Sequence, residues 1–412
     1  MHLSNLLPVP GYQQAAGTPG SVLSTFPSPA LPFTVRSVPG SADTEIHAVH
    51  HAPGPVGFDT VMAWADRLCQ EYGAHLLRVV VFGELTGTPP VHDDRWTWVR
   101  PVTYTGGHGT SVELTALAPD PRGDVAVTRI ASGASLTTHA TPDGARVRRL
   151  VHCLPRPAGA DPYTQVTRGL EAAEAALREA GMTPLDIDRT WFFVSGIGRA
   201  YPALNAARDE AFDRWGIRRY PASTGIGATL PAGSEVSLIV ESSRYETAAG
   251  TVEKDLTVLG TPLQTSPSEY GPRFVRGNLL RMGGRRTVNV SGISSIDPRG
   301  RSITSEDPAV CVDYAMRSLL DVLAAGGTGP RDIASSYVYC RDPAVRDAFS
   351  AYLAEKRLDF PHLLTYVPVC RPELAFEIEA RAVCGDPTGA ESPQETEKET
   401  KKETEKERES AP

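Results

Sequence analysis

The stretch GLEAAEAALREAGMTPLDIDRTWFFV, residues 169–194, decides the fold, because YAMRSLLDVLAAGGTGPRDIASSYVYC, residues 314–340, repeats its pattern. Each begins with apolar residues three and four positions apart, which predicts an amphipathic helix. Each helix ends at glycine and a proline-containing turn with Asp-Ile. A segment of aromatic and β-branched residues follows and predicts a strand. A repeated helix-then-strand unit indicates a duplicated module.

The repeat extends further along the chain. Tyr-Pro at 220–221 parallels Phe-Pro at 360–361, and the acidic-ended segment 235–241 parallels 373–379. We therefore expect two copies of a strand–helix–strand–helix–strand unit, the second starting with the strand at 286–296. The two copies would give tandem α+β modules.

The rest of the chain is divided by composition. Residues 1–55 are rich in proline, glycine and serine and are predicted to form a disordered leader. We place an N-terminal module region at 56–250, a C-terminal domain at 251–385 and a disordered charged tail at 386–412. The segment 58–84 has the same helix-then-strand rhythm and is compatible with a degenerate third copy.

Composition restricts the class of partner. The 412 residues include 41 Lys plus Arg and 49 Asp plus Glu, so the net charge is −8. This mild acidity argues against nucleic acid as the main partner. No apolar run is long enough to span a membrane, and the N-terminus lacks a signal-peptide pattern. The six cysteines are dispersed without a CxxC pair, which favours reduced thiols. We expect a cytoplasmic protein that acts on a small molecule.

Motifs of metal and cofactor chemistry are absent from the sequence. Neither HExxH nor paired-cysteine spacing occurs, and nine of the ten histidines lie at or before His152. There is no Walker loop and no GxSxG elbow, and TGIGATL at 224–230 lacks the third glycine of a dinucleotide fingerprint. The sequence therefore predicts a reaction without metal or cofactor, performed by carboxylate and arginine side chains.

The internal alignment distinguishes one carboxylate. Glu377, in the last strand of the second copy, aligns with Ile239 in the first copy. A carboxylate is expensive where a strand otherwise buries an alkyl group, unless it is paired or used. One interpretation is that this face is exposed in one copy. The other is a proton-transfer group whose pKa is raised by partial burial.

Arginines are concentrated in the middle of the chain, next to glycine-rich turns. The planar guanidinium suits carboxylate binding, and glycine lets the backbone approach a ligand. A surface arginine taken alone has no specific role. The candidates are Arg199, Arg208, Arg218, Arg219, Arg273 and Arg276.

Several of these segments together resemble the chorismatase family. The blocks are RRYPASTGIGATLPAGSEVSLIVESS, EYGPRFVRG, VSGISSIDPRG and CRPELAFEIEA, preceded by RTWFFVSGIGRAYPALNAARDEAF. The resemblance covers about residues 150–384. It implies an α+β fold of tandem RidA-like (YjgF) modules, with mixed sheets and helices packed on one face. It also implies removal of the enolpyruvyl group of chorismate as pyruvate, with no metal or cofactor.

The resemblance also assigns roles to positions of this chain. Glu377 falls on the family's catalytic glutamate. Cys370 falls on a pocket position that varies between subgroups, and its thiol favours 3-hydroxybenzoate as product over a dihydrodiol; a small buried hydrophobe is the structural alternative. The predicted substrate-binding residues are Arg208, Arg219, Tyr220, Thr224, Gly225, Arg273, Arg276 and Cys370.

Two departures from relatives keep alternatives open. His362 stands fifteen residues before Glu377, where simple RidA-like imine deaminases have arginine, and Gly292–Ser295 replaces a Gly-Thr-Ala segment. A diverged RidA-like enzyme acting on another enol or imine acid is the second hypothesis, and a non-catalytic metabolite-binding protein is the third. The expected partner is chorismate, without nucleic acid or membrane, and the expected state is a monomer or small homo-oligomer.

Overall fold

The computed structural model describes residues 33–87, 96–99, 109–120, 125–141, 144–154, 157, 159–230 and 234–386. These residues form three successive modules, each a mixed sheet with helices packed on one face. The first module spans 34–119, the second 125–253 and the third 255–385. Most of the predicted leader, 1–32, and the tail from 387 lie outside the described residues.

The first module contains one described α-helix. Its main sheet has the order β1-β2-β7-β4-β6, and β3 pairs with β5 beside it. Its elements are β1 (Thr34–Pro39), β2 (Asp43–Ala52), β3 (Val56–Gly57), α1 (Phe58–Tyr72), β4 (His75–Phe82), β5 (Leu85–Thr86), β6 (Trp96–Val99) and β7 (Thr110–Pro119).

The second module has the sheet order β12-β11-β13-β10-β9-β8, with β14 paired to β13. Strands β11 and β12 are parallel because α3 crosses between them. Its elements are β8 (Val125–Arg129), β9 (Ser135–Ala140), β10 (Arg146–Leu154), α2 (Pro162–Glu179), β11 (Ile187–Ser195), α3 (Ile197–Arg214), β12 (Ala222–Ala228), β13 (Val236–Glu246) and β14 (Val252–Glu253).

The third module repeats this arrangement with the order β15-β16-β17-β20-β18-β19. Its elements are β15 (Asp255–Leu259), β16 (Gly277–Met282), β17 (Arg285–Ser294), α4 (Pro308–Ala325), β18 (Ile333–Cys340), α5 (Pro343–Lys356), β19 (Leu363–Tyr366) and β20 (Phe376–Gly385). The predicted proline turns are short 3-10 helices at Pro184–Asp186 and Pro330–Asp332.

Three of the helices begin at an Asp-Pro pair. Asp161, Asp307 and Asp342 are the N-caps of α2, α4 and α5, and each carboxylate accepts a hydrogen bond from a backbone N–H of the first turn. Proline at the first helical position needs no such partner and already has helical φ. This local chemistry fixes where each helix starts.

The three sheets meet at a shared apolar core on the faces opposite their helices. Phe82 comes from the first module, Phe193 and Ile239 from the second, and Tyr337 and Tyr339 from the third. The rings of Phe82 and Phe193 lie 5.9 Å apart, edge to face. The modules are therefore packed round a common centre. No helix among the described residues is long and apolar enough to cross a membrane.

This layout differs from the predicted domain boundaries. Residues 34–52 form β1 and β2 rather than part of a disordered leader, and the predicted region 56–250 divides into two sheets. Buried apolar residues such as Val35 and Ile46 outweigh the proline content, since β1 contains one proline, Pro39, at its end.

The strand register also corrects the internal alignment by two residues. Tyr339 of β18 pairs with Glu377, whereas the corresponding Phe193 of β11 pairs with Ser237. Glu377 therefore stands where the second module has Ser237, and Glu379 stands where it has Ile239. A shift of two residues keeps the side chain on the same face of the strand, so the predicted inward orientation survives the correction.

Candidate active site

A cavity of about 370 Å³ opens where the second module packs against the third. Strand β12 and helix α3 supply one wall, and β17, β20 and the loop before β16 supply the other. Glu377 lies in its lining, so we call it the Glu377 cavity. Of the predicted site residues, the structure brings these together: Arg208, Thr224, Gly225, Arg276, Cys370 and Glu377.

Three predicted residues lie outside this lining. Arg219 donates a hydrogen bond to the Leu256 carbonyl at 2.9 Å. The Tyr220 ring stacks on Phe212 with 6.1 Å between centroids. Arg273 forms ion pairs with Asp209 and Asp213, so its charge is already compensated. The adjacent glycines and aromatic residues did not distinguish these side chains from those that face the cavity.

The Glu377 carboxyl is buried but forms no hydrogen bond with any described residue. The residue is 4% exposed. Burial raises its pKa to about 8, and the negative charge of Glu379 acts in the same direction against the opposing effects of Arg276 and Arg189. At neutral pH the group is therefore a protonated acid that faces open space, which is the state a general acid requires.

Glu379 contrasts with Glu377, because its carboxylate is fully engaged. It accepts hydrogen bonds from Arg189, from Thr224 and from Trp191 Nε1, the last at 2.6 Å. The Tyr339 hydroxyl lies 3.3 Å away. Glu379 is thus a fixed charge behind the cavity that favours the neutral form of Glu377.

Gly292 allows the Glu377 carboxyl to occupy its position. A Cβ atom at this residue would lie 2.1 Å from Glu377 Oε1 and 3.1 Å from Thr224 Cγ2. The Gly292 backbone N–H donates to Thr224 Oγ1 at 3.0 Å, which holds β17 against β12. The close approach requires glycine. The segment Gly292–Ser295 departs from the family's Gly-Thr-Ala pattern but keeps the glycine that the position of the Glu377 carboxyl requires.

Three guanidinium groups line the cavity without a carboxylate partner among the described residues. Arg276 donates to the Tyr270 hydroxyl at 2.8 Å, and Arg371 to the Gly300 carbonyl at 2.8 Å. Arg208 donates to Asn205 at 2.6 Å, and its buried Nε has no partner among the described residues. Arg208 and Arg276 are buried, and Asp209, the other acidic residue of the lining besides Glu377, pairs with Arg273. The cavity is therefore suited to an anion, because an acidic ligand would supply the missing negative charge.

Cys370 contributes a neutral thiol to the cavity wall. Burial and the charge of Glu377 raise its pKa to about 12. A thiol in this state is neither nucleophile nor metal ligand. Cys370 packs against the core of the second module and against the shared apolar core, and the neighbouring Tyr201 hydroxyl has its pKa raised by burial. The geometry agrees with the structural alternative, a small apolar group that shapes the pocket.

Sequence reasoning missed several lining residues, including Tyr201, Asn205, Tyr270 and Arg371. All four lie within the quoted blocks GRAYPALN, EYGPRF and CRPEL. A signal was therefore present, since these blocks flank the predicted glycine turns. Among the described residues, no cluster of His, Cys, Asp or Glu side chains is arranged to hold a metal ion.

His362 does not face Glu377. It lies directly before β19. Leu363 pairs with Tyr337 as Thr224 of β12 pairs with Trp191, so Ser223 is the residue of the second module that corresponds to His362. Ser223 lines the Glu377 cavity, whereas His362 lines a separate cavity. The comparison of His362 with the arginine of imine deaminases therefore concerns another part of the molecule.

Known proteins share this architecture. A crystal structure of chorismatase superposes with a TM-score of 0.56 and 20% sequence identity, over 74% of this chain and 92% of that one. A RutC family protein from Sulfurisphaera tokodaii is 26% identical over 121 residues, 29% of this chain and 93% of its own length. The YjgF gene product of E. coli, at 23% identity and a TM-score of 0.25, covers 31% of this chain and 98% of its own. No protein-family model matches the chain.

The fold is therefore that of RidA-like modules joined in one chain. More particularly, it is the fold of chorismatase, and the predicted resemblance and α+β fold class are confirmed at this level. The activity that such a fold carries in this chain depends on the site residues.

Proposed function

We propose that the protein removes the enolpyruvyl group of chorismate as pyruvate. The observation that carries this proposal is the Glu377 cavity, in which a buried protonated carboxyl without a hydrogen bond is accompanied by three arginines without ion pairs. Chorismate has two carboxylates and an acid-labile enol ether, so it needs this combination of cations and a proton donor. The chorismatase fold supports the same reaction.

The proton transfer begins the reaction. Glu377 gives its proton to the enolpyruvyl methylene carbon and becomes a carboxylate. The resulting oxocarbenium centre is stabilised by that new negative charge. Water attacks this centre and gives a proton to the Glu377 carboxylate. The hemiketal hydroxyl proton then moves to the ring oxygen as the bond between that oxygen and the hemiketal carbon breaks, which releases pyruvate and leaves a dihydroxycyclohexadiene carboxylate. Loss of water from that ring gives 3-hydroxybenzoate. Glu377 recovers its proton in the same turnover.

The arginines orient the substrate. Arg208 and Arg276 lie on opposite walls, one from each module, so a dianion held by both spans the cavity. Arg371 adds a third cation beside the Tyr270 ring, 5.6 Å from its centroid. Fixing both carboxylates holds the enol ether against Glu377, and positioning of this kind supplies part of the rate.

The product test decides both the reaction and the subgroup. Purified protein is incubated with chorismate, pyruvate is followed by a coupled assay and the ring product by chromatography and mass. We expect pyruvate with 3-hydroxybenzoate, because the resemblance associates a cysteine at position 370 with the subgroup that makes this product. Pyruvate with a dihydrodiol would keep the class of enzyme and overturn the product. No pyruvate from folded protein would favour another enol or imine acid as substrate.

Substitution of Arg276 should affect KM for chorismate, and substitution of Arg273 should not. Arg276→Met is expected to raise KM for chorismate by about 10-fold to 10²-fold, because one carboxylate loses a charge-assisted hydrogen bond. Arg273→Met is the matched control, since the Arg273 side chain lies outside the lining and is paired with Asp209 and Asp213. The measurement is initial-rate kinetics of both variants. Equal effects at the two positions would contradict the assignment of the cavity.

Gly292→Ala tests the close approach to Glu377. The new methyl group would displace the carboxyl, and a misplacement of about 1 Å costs about 10²-fold in kcat/KM. Gly198→Ala is the control, because a Cβ there meets no atom within 4 Å. Kinetics of both variants are compared after circular dichroism confirms folding. Unchanged kcat/KM in Gly292→Ala would mean that Glu377 need not occupy this position.

The pH profile should report the acid form of Glu377. Its pKa is raised to about 8, so the carboxyl holds its proton below that pH and loses it above. We expect kcat/KM for chorismate to be level up to about pH 8 and then to fall about tenfold per pH unit. The rate of pyruvate release is measured between about pH 6 and pH 10. A rate that rises with pH would assign Glu377 as a base.

A further inference from the structure

A second cavity lies where the third module packs against the first. Its volume is about 610 Å³, larger than that of the Glu377 cavity. The walls are built largely from corresponding elements: β19 and α5 replace β12 and α3, and β2 replaces β17. We call it the His362 cavity. The junction between the third and first modules thus corresponds to the junction between the second and third modules.

The strand register shows which residues of the first module correspond to residues of the Glu377 cavity. Phe82 pairs with Ser111 as Tyr339 pairs with Glu377, so Ser111 stands where the proton donor stands in the other cavity. His51 pairs with Ser111 as Ser294 pairs with Glu377. At the junction of the first and third modules a serine hydroxyl thus stands where the other junction has the Glu377 carboxyl.

Two imidazoles take the place of two serine hydroxyls. His51 corresponds to Ser294, and His362 corresponds to Ser223. His362 Nδ1 donates to the Phe360 carbonyl at 3.1 Å, so in the neutral ring Nε2 carries a lone pair. His51 Nδ1 lies 2.9 Å from Ser111 Oγ. Burial lowers the pKa of both rings, and the His362 charge lowers that of His51 further.

A bound anion would favour the protonated form of both imidazoles. Each protonated imidazole disfavours the other, and a carboxylate between them would be attracted to both. The other charged groups in the lining are Arg346, which forms an ion pair with Asp347, and Asp359, whose negative charge opposes the lowering of the His362 pKa. Benzenoid and alkyl side chains, Phe82, Phe360 and Val49, supply an apolar wall for a ring.

We infer that the His362 cavity is a second binding site, which takes a small ring-containing carboxylic acid and leaves it chemically unchanged. The ring lies against the phenylalanines and the carboxylate lies between His51 and His362. Binding here does not depend on the reaction proposed for the Glu377 cavity, because the two cavities share no lining residue.

Counting bound equivalents tests this inference. Benzoate is titrated calorimetrically into the full chain, into His362→Leu and into Ser350→Trp, which fills the cavity from an exposed position on α5. Each variant is expected to bind one equivalent fewer than the unmodified protein. Benzamide, the uncharged isostere, is expected to bind the site at least about tenfold more weakly. Thermal unfolding confirms that both variants are folded.

Two results would overturn the inference: equal numbers of benzoate equivalents in all three proteins, or equal affinities for benzoate and benzamide. Pyruvate release from chorismate is measured on the same variants and is expected to be unchanged, since neither residue touches the Glu377 cavity. A failure of the second site is thereby separated from a failure of the proposed reaction.

Discussion

Replacing Glu377 with glutamine is expected to reduce pyruvate release from chorismate by about 10²-fold to 10⁴-fold, the range that general acid catalysis supplies. Glutamine keeps the shape and hydrogen-bonding capacity of the protonated acid but cannot give up a proton to carbon. Because Glu377 forms no side-chain hydrogen bond with the described residues, the substitution leaves no partner unsatisfied. Folding and chorismate binding should therefore be retained while kcat is lost.

The control for this substitution is Glu355→Gln on α5, where the carboxylate is exposed and pairs only with Lys356. Stopped-flow and calorimetric binding of chorismate separate affinity from turnover. A Glu377→Gln variant that retains full activity would remove the carboxyl from the mechanism. A variant that loses binding as well as turnover would place Glu377 in substrate recognition instead.

The fold could be predicted where a module's own sequence carries a clear pattern of apolar and turn residues. Helices α2 and α4 and the strands that follow them were predicted from residues 169–194 and 314–340, because apolar spacing and proline turns act locally. The first module was only compatible with a third copy. Its first strands lie in a segment whose prolines and glycines obscure the apolar residues that the strands bury, such as Val35 and Ile46.

The register of the last strand is a different kind of failure. Aligning outer glutamates in 235–241 and 373–379 gave a match of residue types, but the structure pairs these strands by backbone position. Strand positions two apart share a face and a similar composition, so sequence alone does not fix a shift of two. Glu377 was still distinguished, because both alternatives place a carboxylate where the other module is uncharged.

The residues of the Glu377 cavity could likewise be predicted only in part. Residue types predicted that arginines accompany the carboxyl, but Arg273 and Arg276 differ by three positions and only Arg276 reaches the Glu377 cavity. Which side a loop arginine faces depends on the module packed against it. That information is carried by contacts between 201–208 and 270–276, far apart in the chain, and no local pattern records it.

Loss of Arg189 should reduce the stability of the protein strongly. Its guanidinium is 2% exposed, donates to Thr224 Oγ1 at 2.7 Å and pairs with Glu379, also buried. Arg189→Met removes the cation and leaves the Glu379 carboxylate without its main counter-charge. Breaking a buried ion pair from one side costs about 3–5 kcal/mol, so we expect a loss of this size in the free energy of unfolding, measured in urea by circular dichroism.

The loss of stability in Arg189→Met should depend on pH. Burial raises the pKa of Glu379 and Arg189 opposes that rise, so without Arg189 the folded-state pKa is higher still. A carboxyl with a higher pKa in the folded than in the unfolded state loses stability as pH rises through that value. The deficit of Arg189→Met should therefore be larger at about pH 8 than at about pH 5.

Two further variants separate the buried pair from a general effect of losing an arginine. Arg168→Met removes the cation of an exposed pair on α2, whose side chains are 61% and 42% exposed, and should cost less than about 1 kcal/mol. Arg189→Met combined with Glu379→Gln removes both buried charges and should recover part of the loss. If the double variant were less stable than Arg189→Met by the full cost of a second buried defect, Glu379 would be stabilised by Trp191, Thr224 and Tyr339 rather than by the ion pair.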